Sequence, residues 1–199
     1  HLPLLSALPR AELHCHLGGI LGVKAQKRVG EAVWDGLSTG EQSIGLERSR
    51  ELLRRAECGE PWPWNWPDQL GAKRSPEDAR LRSAAAAALL QHLSVAELER
   101  RLFSDTLPRV ALAHSRHEFE AYERPGELCG SAILGHDAAV QAYAEAVVEE
   151  ASAQRLTYLE LRCSPHKYLG GGAVRFVSGF RCALDQARAR LAGACEIRM

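Results

Sequence analysis

The sequence predicts an α/β protein with a parallel sheet, as found in (β/α) barrels and in open doubly wound sheets. Two short strand-like runs, AELHCHL at 11–17 and LTYLELRC at 156–163, flank a long and mostly helical stretch. Another helical stretch follows, and CEIRM at 195–199 begins a third strand. Strands that alternate with helices pair in parallel, with the helices packed outside the sheet.

The first predicted strand ends at the Gly18-Gly19 pair. Since alternate side chains of a strand share a face, one face carries Glu12, His14 and His16, and the other carries Leu13, Cys15 and Leu17. Two imidazoles about 7 Å apart along a strand can converge on one ion, and zinc favours imidazole nitrogen. Because a His-x-His spacing alone is weakly specific, a hydrogen-bonded core histidine followed by a loop histidine is the alternative.

Helix-start signals divide the region between the first two strands. Ser75-Pro76-Glu77-Asp78 combines a capping serine, a first-turn proline and two acids, and predicts a helix to about His92. Ser94-Val95-Ala96-Glu97 has the pattern of a capping box and predicts a helix through about Phe103. The stretch PWPWNWP at 61–67 predicts an irregular loop, because its prolines remove backbone donors. Its tryptophans either pack locally or contact a partner.

A helix on each side of the second strand completes the pattern. The helix before it begins near Asp137, with a predicted core stripe of Val140, Ala144, Val147 and Ala151. The strand stops at Ser164-Pro165. The helix after it ends at Gly193, and its predicted stripe comprises Val174, Val177, Phe180, Leu184, Ala187 and Leu191.

The second strand also has one polar face. Tyr158, Glu160 and Arg162 alternate with Leu159, Leu161 and Cys163. A buried parallel strand is normally apolar on both faces. Two strands with polar inner faces therefore predict a lumen built for chemistry. Within it, Glu160 and Arg162 either form an ion pair that shapes the site or contact a substrate directly.

Composition indicates an ordinary globular protein. Hydrophobic residues make up 46%, and 25 basic residues balance 25 acidic ones, which argues against disorder and against a large nucleic-acid surface. No apolar run is long enough to span a membrane, and HLPLLSALPR lacks the basic leader and cleavage site of a signal peptide. The six cysteines form no CxxC pair, which indicates reduced thiols and a cytoplasmic protein.

Two stretches together resemble the adenosine deaminase family of metal-dependent amidohydrolases: LPRAELHCHLGG at 8–19 and LTYLELRCSPHKY at 156–168. The resemblance implies a (β/α)8 TIM barrel, of which residues 1–199 supply about the first three strands, with a helical and loop insertion at about 22–115. It implies that His14 and His16 bind catalytic Zn²⁺, and that Ser164 and His166 belong to a substrate loop. The implied reaction is hydrolytic deamination, in which a zinc-activated water attacks C6 of adenine.

One departure from the family concerns the substrate. The family usually has an acid after His-x-His-Leu that meets the ribose 5′-hydroxyl, and this chain has Gly18 there. Loss of that carboxylate removes a repulsive charge and opens space for a phosphate. We therefore expect Gly18 to line a site for a 5′-phosphorylated adenine nucleotide such as ATP or dATP. The His-Leu-Gly-Gly sequence and the long insertion also resemble the deaminase subunits of bacterial anti-phage defence systems.

A second departure concerns completeness. The family's further zinc-binding histidine, catalytic glutamate, second catalytic histidine and metal-binding aspartate have no matching motifs in the 199 residues. The catalytic residues are therefore unknown, and we expect this to be the N-terminal portion of a barrel, or a piece that assembles with other subunits, and inactive by itself. The alternatives are another amidohydrolase, such as an adenine deaminase, and a degenerate barrel that acts as a scaffold or assembly subunit.

Overall fold

The computed structural model describes residues 8–104, 123, 126–169, 172–191 and 195–199. The fold is α/β and mostly helical, with a three-stranded parallel sheet in the order β1-β2-β3. The strands are β1 (Arg10–His16), β2 (Leu156–Arg162) and β3 (Glu196–Arg198). The three predicted strands and their parallel pairing are therefore confirmed.

The remaining elements are helical. The α-helices of the described part are α1 (Val23–Gly36), α2 (Thr39–Glu57), α3 (Trp66–Gln69), α4 (Pro76–His92), α5 (Val95–Glu99), α6 (Ala138–Ala153) and α7 (Ala173–Arg190). Shorter 3-10 turns cover Leu17–Gly19, Ile133–Gly135 and Pro165–Lys167, and π-helical turns cover Arg100–Ser104 and Glu127–Ala132. The predicted insertion is mostly helical over its described part, and residues 105–115 lie outside the described residues.

Helix α4 is the centre of the helical layer. Its predicted start is confirmed, because Ser75 Oγ accepts a hydrogen bond from the Asp78 N–H at 3.0 Å. Its run Ala84–Leu90 is fully buried, as expected for a helix that is apolar on all sides. Helices α1 and α2 pack against it. The approach of α2 is close, since a Cβ on Gly45 would lie 2.7 Å from the Ala84 carbonyl oxygen.

The capping box predicted at Ser94–Glu97 forms in part. Ser94 Oγ accepts a hydrogen bond from the Glu97 N–H at 3.1 Å. The Glu97 carboxylate does not bond back to the Ser94 backbone and instead accepts from Arg101 Nε, one turn later, at 2.6 Å. Regular α-helix ends at Glu99 and continues as the π-helical turn to Ser104.

The tryptophan-rich loop packs against the body of the protein. Trp62 and Trp66 are buried, with ring centroids 5.2 Å apart, and Trp62 Nε1 donates to the Leu52 carbonyl at 2.9 Å. Of the two alternatives for the tryptophans, Trp62 and Trp66 therefore follow the first, local packing. Helix α3 begins inside the stretch predicted to be irregular, because Pro67 falls in its first turn, where proline is tolerated.

Helices α6 and α7 connect the strands and cover one face of the sheet. The predicted stripe of α6 is confirmed, with Ala144, Val147 and Ala151 buried and Val140 packed against the core. The prediction for α7 is wrong at three positions, because Val174 is 81% exposed, Val177 36% and Leu191 40%. The buried face of α7 is instead centred on the stacked rings of Phe176 and Phe180, and a helix face of ordinary width excludes the other three residues. Gly193 lies outside the described residues.

Two further expectations concern the environment of the chain. No helix within the described ranges is long and apolar enough to cross a membrane. The described cysteines, Cys15, Cys58, Cys163, Cys182 and Cys195, are free thiols. Burial is the main cause that raises the pKa of the thiols of Cys15, Cys163 and Cys195, so these groups stay protonated at neutral pH.

Candidate metal centre

The polar face of β2 forms as the alternation predicts. Leu159 and Leu161 are buried against the helices. On the opposite face the Tyr158 hydroxyl donates to Glu160 Oε1 at 2.8 Å, and Arg162 Nη2 lies 3.2 Å from Glu160 Oε2. The hydrogen bond to Glu160 is the main cause that raises the pKa of Tyr158. These contacts keep three polar side chains of β2 together.

The two histidines of β1 converge. The Nε2 atoms of His14 and His16 lie 3.2 Å apart, and their ring centroids are separated by 5.1 Å. Both residues are exposed, so an ion or ligand can reach the two nitrogens. Convergence of this pair is the central geometric expectation of the sequence, and the structure contains it.

A β-bulge interrupts β1 beside the histidines. Glu12 pairs with Leu159 and Cys15 with Leu161, so β1 has one residue more than β2 over this interval. The His14 N–H donates to Glu12 Oε1 at 3.0 Å. Bulges often occur next to active sites, where they redirect a side chain. Here the bulge lies where the two imidazoles approach each other.

The bulge also corrects the predicted apolar face of β1. Leu13 was expected to pack toward the helices and is instead 59% exposed. Cys15 is half-buried against the core, and Leu17 is fully buried and lies beyond the end of the strand. Strict alternation fails at Leu13 because the extra residue changes the register between Glu12 and Cys15.

Charged residues of β2 and β3 continue the polar face of the sheet beside the histidine strand. His16 is the register partner of Arg162, and Glu160 is the register partner of Arg198 on β3. Arg198 is also paired with Glu196 on its own strand, with Nη2 2.6 Å from Oε1. Each of these arginines therefore has a glutamate two residues earlier on its own strand, and Arg162 is the one next to His16.

The donor set fits two ligands of a zinc ion. Zinc–imidazole bonds of about 2.0–2.1 Å at a tetrahedral angle place two ligand nitrogens about 3.3–3.4 Å apart. The separation of 3.2 Å between the Nε2 atoms of His14 and His16 is close to that value. Within the part of the chain that the structure describes, no group of three or more His, Cys, Asp and Glu side chains is arranged to hold a metal. The described residues thus offer at most two of the three or more ligands that a catalytic zinc would require.

Gly18 is tightly packed. A Cβ on this residue would lie 3.3 Å from the Gly126 carbonyl oxygen and 3.5 Å from the Gly130 Cα. The backbone of residues 126–130 therefore fills the direction in which a carboxylate would project. The absence of an acid removes a negative charge, as expected from the sequence, but the Cβ direction of Gly18 is occupied by the backbone of Gly126 and Gly130 and offers no space for a phosphate.

Ser164 and His166 lie beyond the end of β2. The Ser164 carbonyl accepts from the Lys167 N–H at 2.9 Å within the turn that contains His166. Ser164 is half-buried and His166 is exposed. Among the described contacts, no hydrogen bond or ring contact joins either residue to His14 or His16. The structure brings the two predicted metal ligands together and, among the described contacts, shows none between them and these two loop residues.

Sequence reasoning missed two features of the site. Glu12 was assigned to the polar face, but its bond to the His14 backbone depends on the bulge. The packing of Gly18 against Gly126 and Gly130 joins segments far apart in sequence, and only the occurrence of glycine at all three positions hints at it. Comparisons with protein-family models, with curated proteins and with solved structures gave no match to this chain.

Proposed function

We propose that this chain carries the zinc-binding strand of a hydrolase that deaminates an adenine nucleoside or, preferentially, a 5′-phosphorylated adenine nucleotide. The observation that carries the proposal is the convergence of the His14 and His16 Nε2 atoms at 3.2 Å on the exposed end of a parallel strand. We further propose that the three parallel strands belong to a (β/α)8 barrel, whose active sites lie at the carboxyl ends of the strands.

The residues of the chain have distinct tasks in this proposal. His14 and His16 hold the metal through Nε2, and zinc at such a site supplies Lewis acidity and an activated water for hydrolysis. Glu12 fixes the backbone of His14 through its 3.0 Å hydrogen bond. Both imidazoles are exposed, so a substrate could reach a metal that they would hold.

The choice of reaction depends on the two sequence motifs. Residues 8–19 and 156–168 resemble the first two strands of adenosine deaminases, which act on C6 of adenine. The likeness of His16-Leu17-Gly18-Gly19 to anti-phage deaminase subunits favours ATP or dATP as the substrate. Gly18 supports this choice through the missing negative charge, because no carboxylate at this position repels a phosphate.

A catalytically degenerate scaffold is the second candidate. The described residues offer two metal ligands and no third, and a separation of 3.2 Å also suits an N–H···N hydrogen bond between two neutral imidazoles. In that case the histidine pair is a structural contact, and the barrel binds other subunits without turning over a substrate.

Metal content and turnover of the intact natural protein separate the two candidates. We expect one zinc per active site after purification without chelators, and release of ammonia from ATP, dATP or adenosine. Replacing His14 and His16 by alanine removes the zinc and the activity. His92→Ala is the matched control, because His92 is an exposed histidine whose Nδ1 lies 2.8 Å from the Ala88 carbonyl on α4. A folded wild-type protein without zinc and without turnover supports the scaffold.

A further inference from the structure

We propose that Arg162 binds the phosphate of the substrate and gives the site its preference for a nucleotide over a free nucleoside. The identity of the substrate in this inference rests on the proposed function. The choice of residue rests on the geometry of the sheet. Because the backbone of residues 126–130 fills the space at Gly18, the phosphate needs a binding group elsewhere.

Arg162 lies next to the histidine pair. It is the last residue of β2 and the register partner of His16, and adjacent strands are about 4.8 Å apart. The residues that precede these two, Leu161 and Cys15, are also register partners and pack on the core side. Arg162 and His16 therefore share the opposite face, where each contacts the polar neighbour two residues earlier in its own strand.

The guanidinium of Arg162 has N–H donors that no described residue accepts. Among the described residues its single polar contact is the one from Nη2 to Glu160 Oε2 at 3.2 Å, and its side chain is 53% exposed. An arginine has five N–H donors in a planar fork that matches the oxygens of a phosphate. Bidentate arginine–phosphate pairs are among the stronger charge-assisted hydrogen bonds.

Glu160 does not depend on Arg162 for a partner. Its Oε1 accepts from the Tyr158 hydroxyl at 2.8 Å, and Arg198, its register partner on β3, interacts with it electrostatically. When Arg162 turns from Glu160 to a phosphate, the carboxylate therefore keeps one hydrogen bond and one nearby positive charge. This arrangement allows the guanidinium to exchange its partner without leaving Glu160 unpaired.

Arg190 provides a matched control. Its side chain is 56% exposed, against 53% for Arg162, and it forms an ion pair with one glutamate, Glu145. It lies at the end of α7, away from the strand face that carries the histidines. The same substitution at the two positions thus removes an equally exposed and similarly paired arginine, inside and outside the proposed site.

Binding of inorganic tripolyphosphate to the metal-free intact protein tests the inference without relying on catalysis. We expect Arg162→Gln to weaken binding about tenfold to a hundredfold, the range for charged hydrogen bonds, and Arg190→Gln to leave it unchanged. Arg162→Lys keeps the positive charge and lacks the planar, two-pronged donor group, so we expect its affinity for tripolyphosphate to lie between those of wild type and Arg162→Gln. If the glutamine variant does not fold, the lysine variant takes its place in the test. Wild-type protein that does not bind, or an Arg162→Gln variant that binds as wild type does, overturns the inference.

Kinetics distinguish this inference from the proposed function. In an active deaminase, Arg162→Gln lowers kcat/KM for ATP relative to adenosine by about tenfold or more, mainly through KM. An unchanged ATP-to-adenosine ratio overturns the role of Arg162 and leaves the deaminase intact. Loss of tripolyphosphate binding in Arg162→Gln, with no deamination by the wild-type protein, supports the anion site and overturns the proposed reaction.

Discussion

The contact between Gly130 and Gly18 links the packing of the helical layer to the histidine pair. A Cβ on Gly130 would lie 2.9 Å from the Gly18 Cα. Contacting carbon atoms normally lie about 3.5–4.0 Å apart, so Gly130→Ala forces the two backbones to separate by roughly 0.6–1.1 Å. Since the atom in contact belongs to backbone, no side-chain rotation relieves the clash.

The cost of this separation is measurable in stability and in metal binding. Overpacking costs about 1–3 kcal/mol; because this clash is with backbone we expect about 2–3 kcal/mol, of which the better helix propensity of alanine returns about 1 kcal/mol, so the net loss is about 1–2 kcal/mol. For a chain of this size that corresponds to a fall in melting temperature of about 2–8 °C. Gly18 follows His16 by two residues, and metal ligands tolerate displacements of only about 0.5 Å, so we also expect zinc affinity to fall about tenfold.

Gly19→Ala is the control for this experiment. Apart from its chain neighbours, no atom of the described residues lies within 4 Å of a Cβ on Gly19, so the variant changes the residue next to Gly18 without a clash among them. Thermal unfolding of the intact protein and a competitive zinc titration measure both effects. If Gly130→Ala matches Gly19→Ala in melting temperature and in zinc affinity, the packing of residues 126–132 does not support the metal site, and the reasoning is refuted.

Two further predictions concern glutamates that act through hydrogen bonds. Glu12→Ala removes the acceptor of the His14 N–H, so we expect zinc affinity to fall about tenfold. The control is Glu149→Ala, which removes an exposed glutamate paired with Arg28 and leaves zinc affinity unchanged. Equal zinc affinities of the two variants contradict the role of Glu12. Hydrogen bonds from the Ser38 hydroxyl, then Arg80 and the Ser38 N–H, lower the pKa of Glu41 from 4.5 to about 2. The stabilisation from Glu41 is therefore complete above about pH 4.5 and lost as the pH falls toward 2, where its folded-state pKa lies. Glu41→Gln is expected to be less stable than wild type by about 1 kcal/mol at pH 7 in urea unfolding, with the difference closing across that acid range; a difference that does not change with pH contradicts the assignment.

Local signals in the sequence predict much of the fold. The serine cap and proline at Ser75-Pro76 set the start of α4, and the alternation of β2 predicts which side chains share the face of Glu160. The strand order follows from the succession of strands and helices. These features depend on the next few residues along the chain or on general rules of connection, which explains why a single sequence is enough to infer them.

The features that escaped prediction depend on distant neighbours. The exposure of Leu13 follows from a bulge, and a bulge is defined by the register of β1 against β2, which lies about 140 residues later in the sequence. The packing at Gly18 depends on residues 126–130 in the same way. On α7, the stacking of Phe176 on Phe180 selects the buried face from several apolar residues. In each case the sequence gives the candidates, and tertiary contacts choose among them.

The most direct test of the account is a crystal structure of the intact protein grown with zinc, with anomalous data collected at the zinc edge. The account predicts one anomalous peak between the rings of His14 and His16, about 2.0–2.1 Å from both Nε2 atoms. A map without a peak there, with the two imidazoles hydrogen-bonded to each other, contradicts the metal site and the deaminase proposal that depends on it.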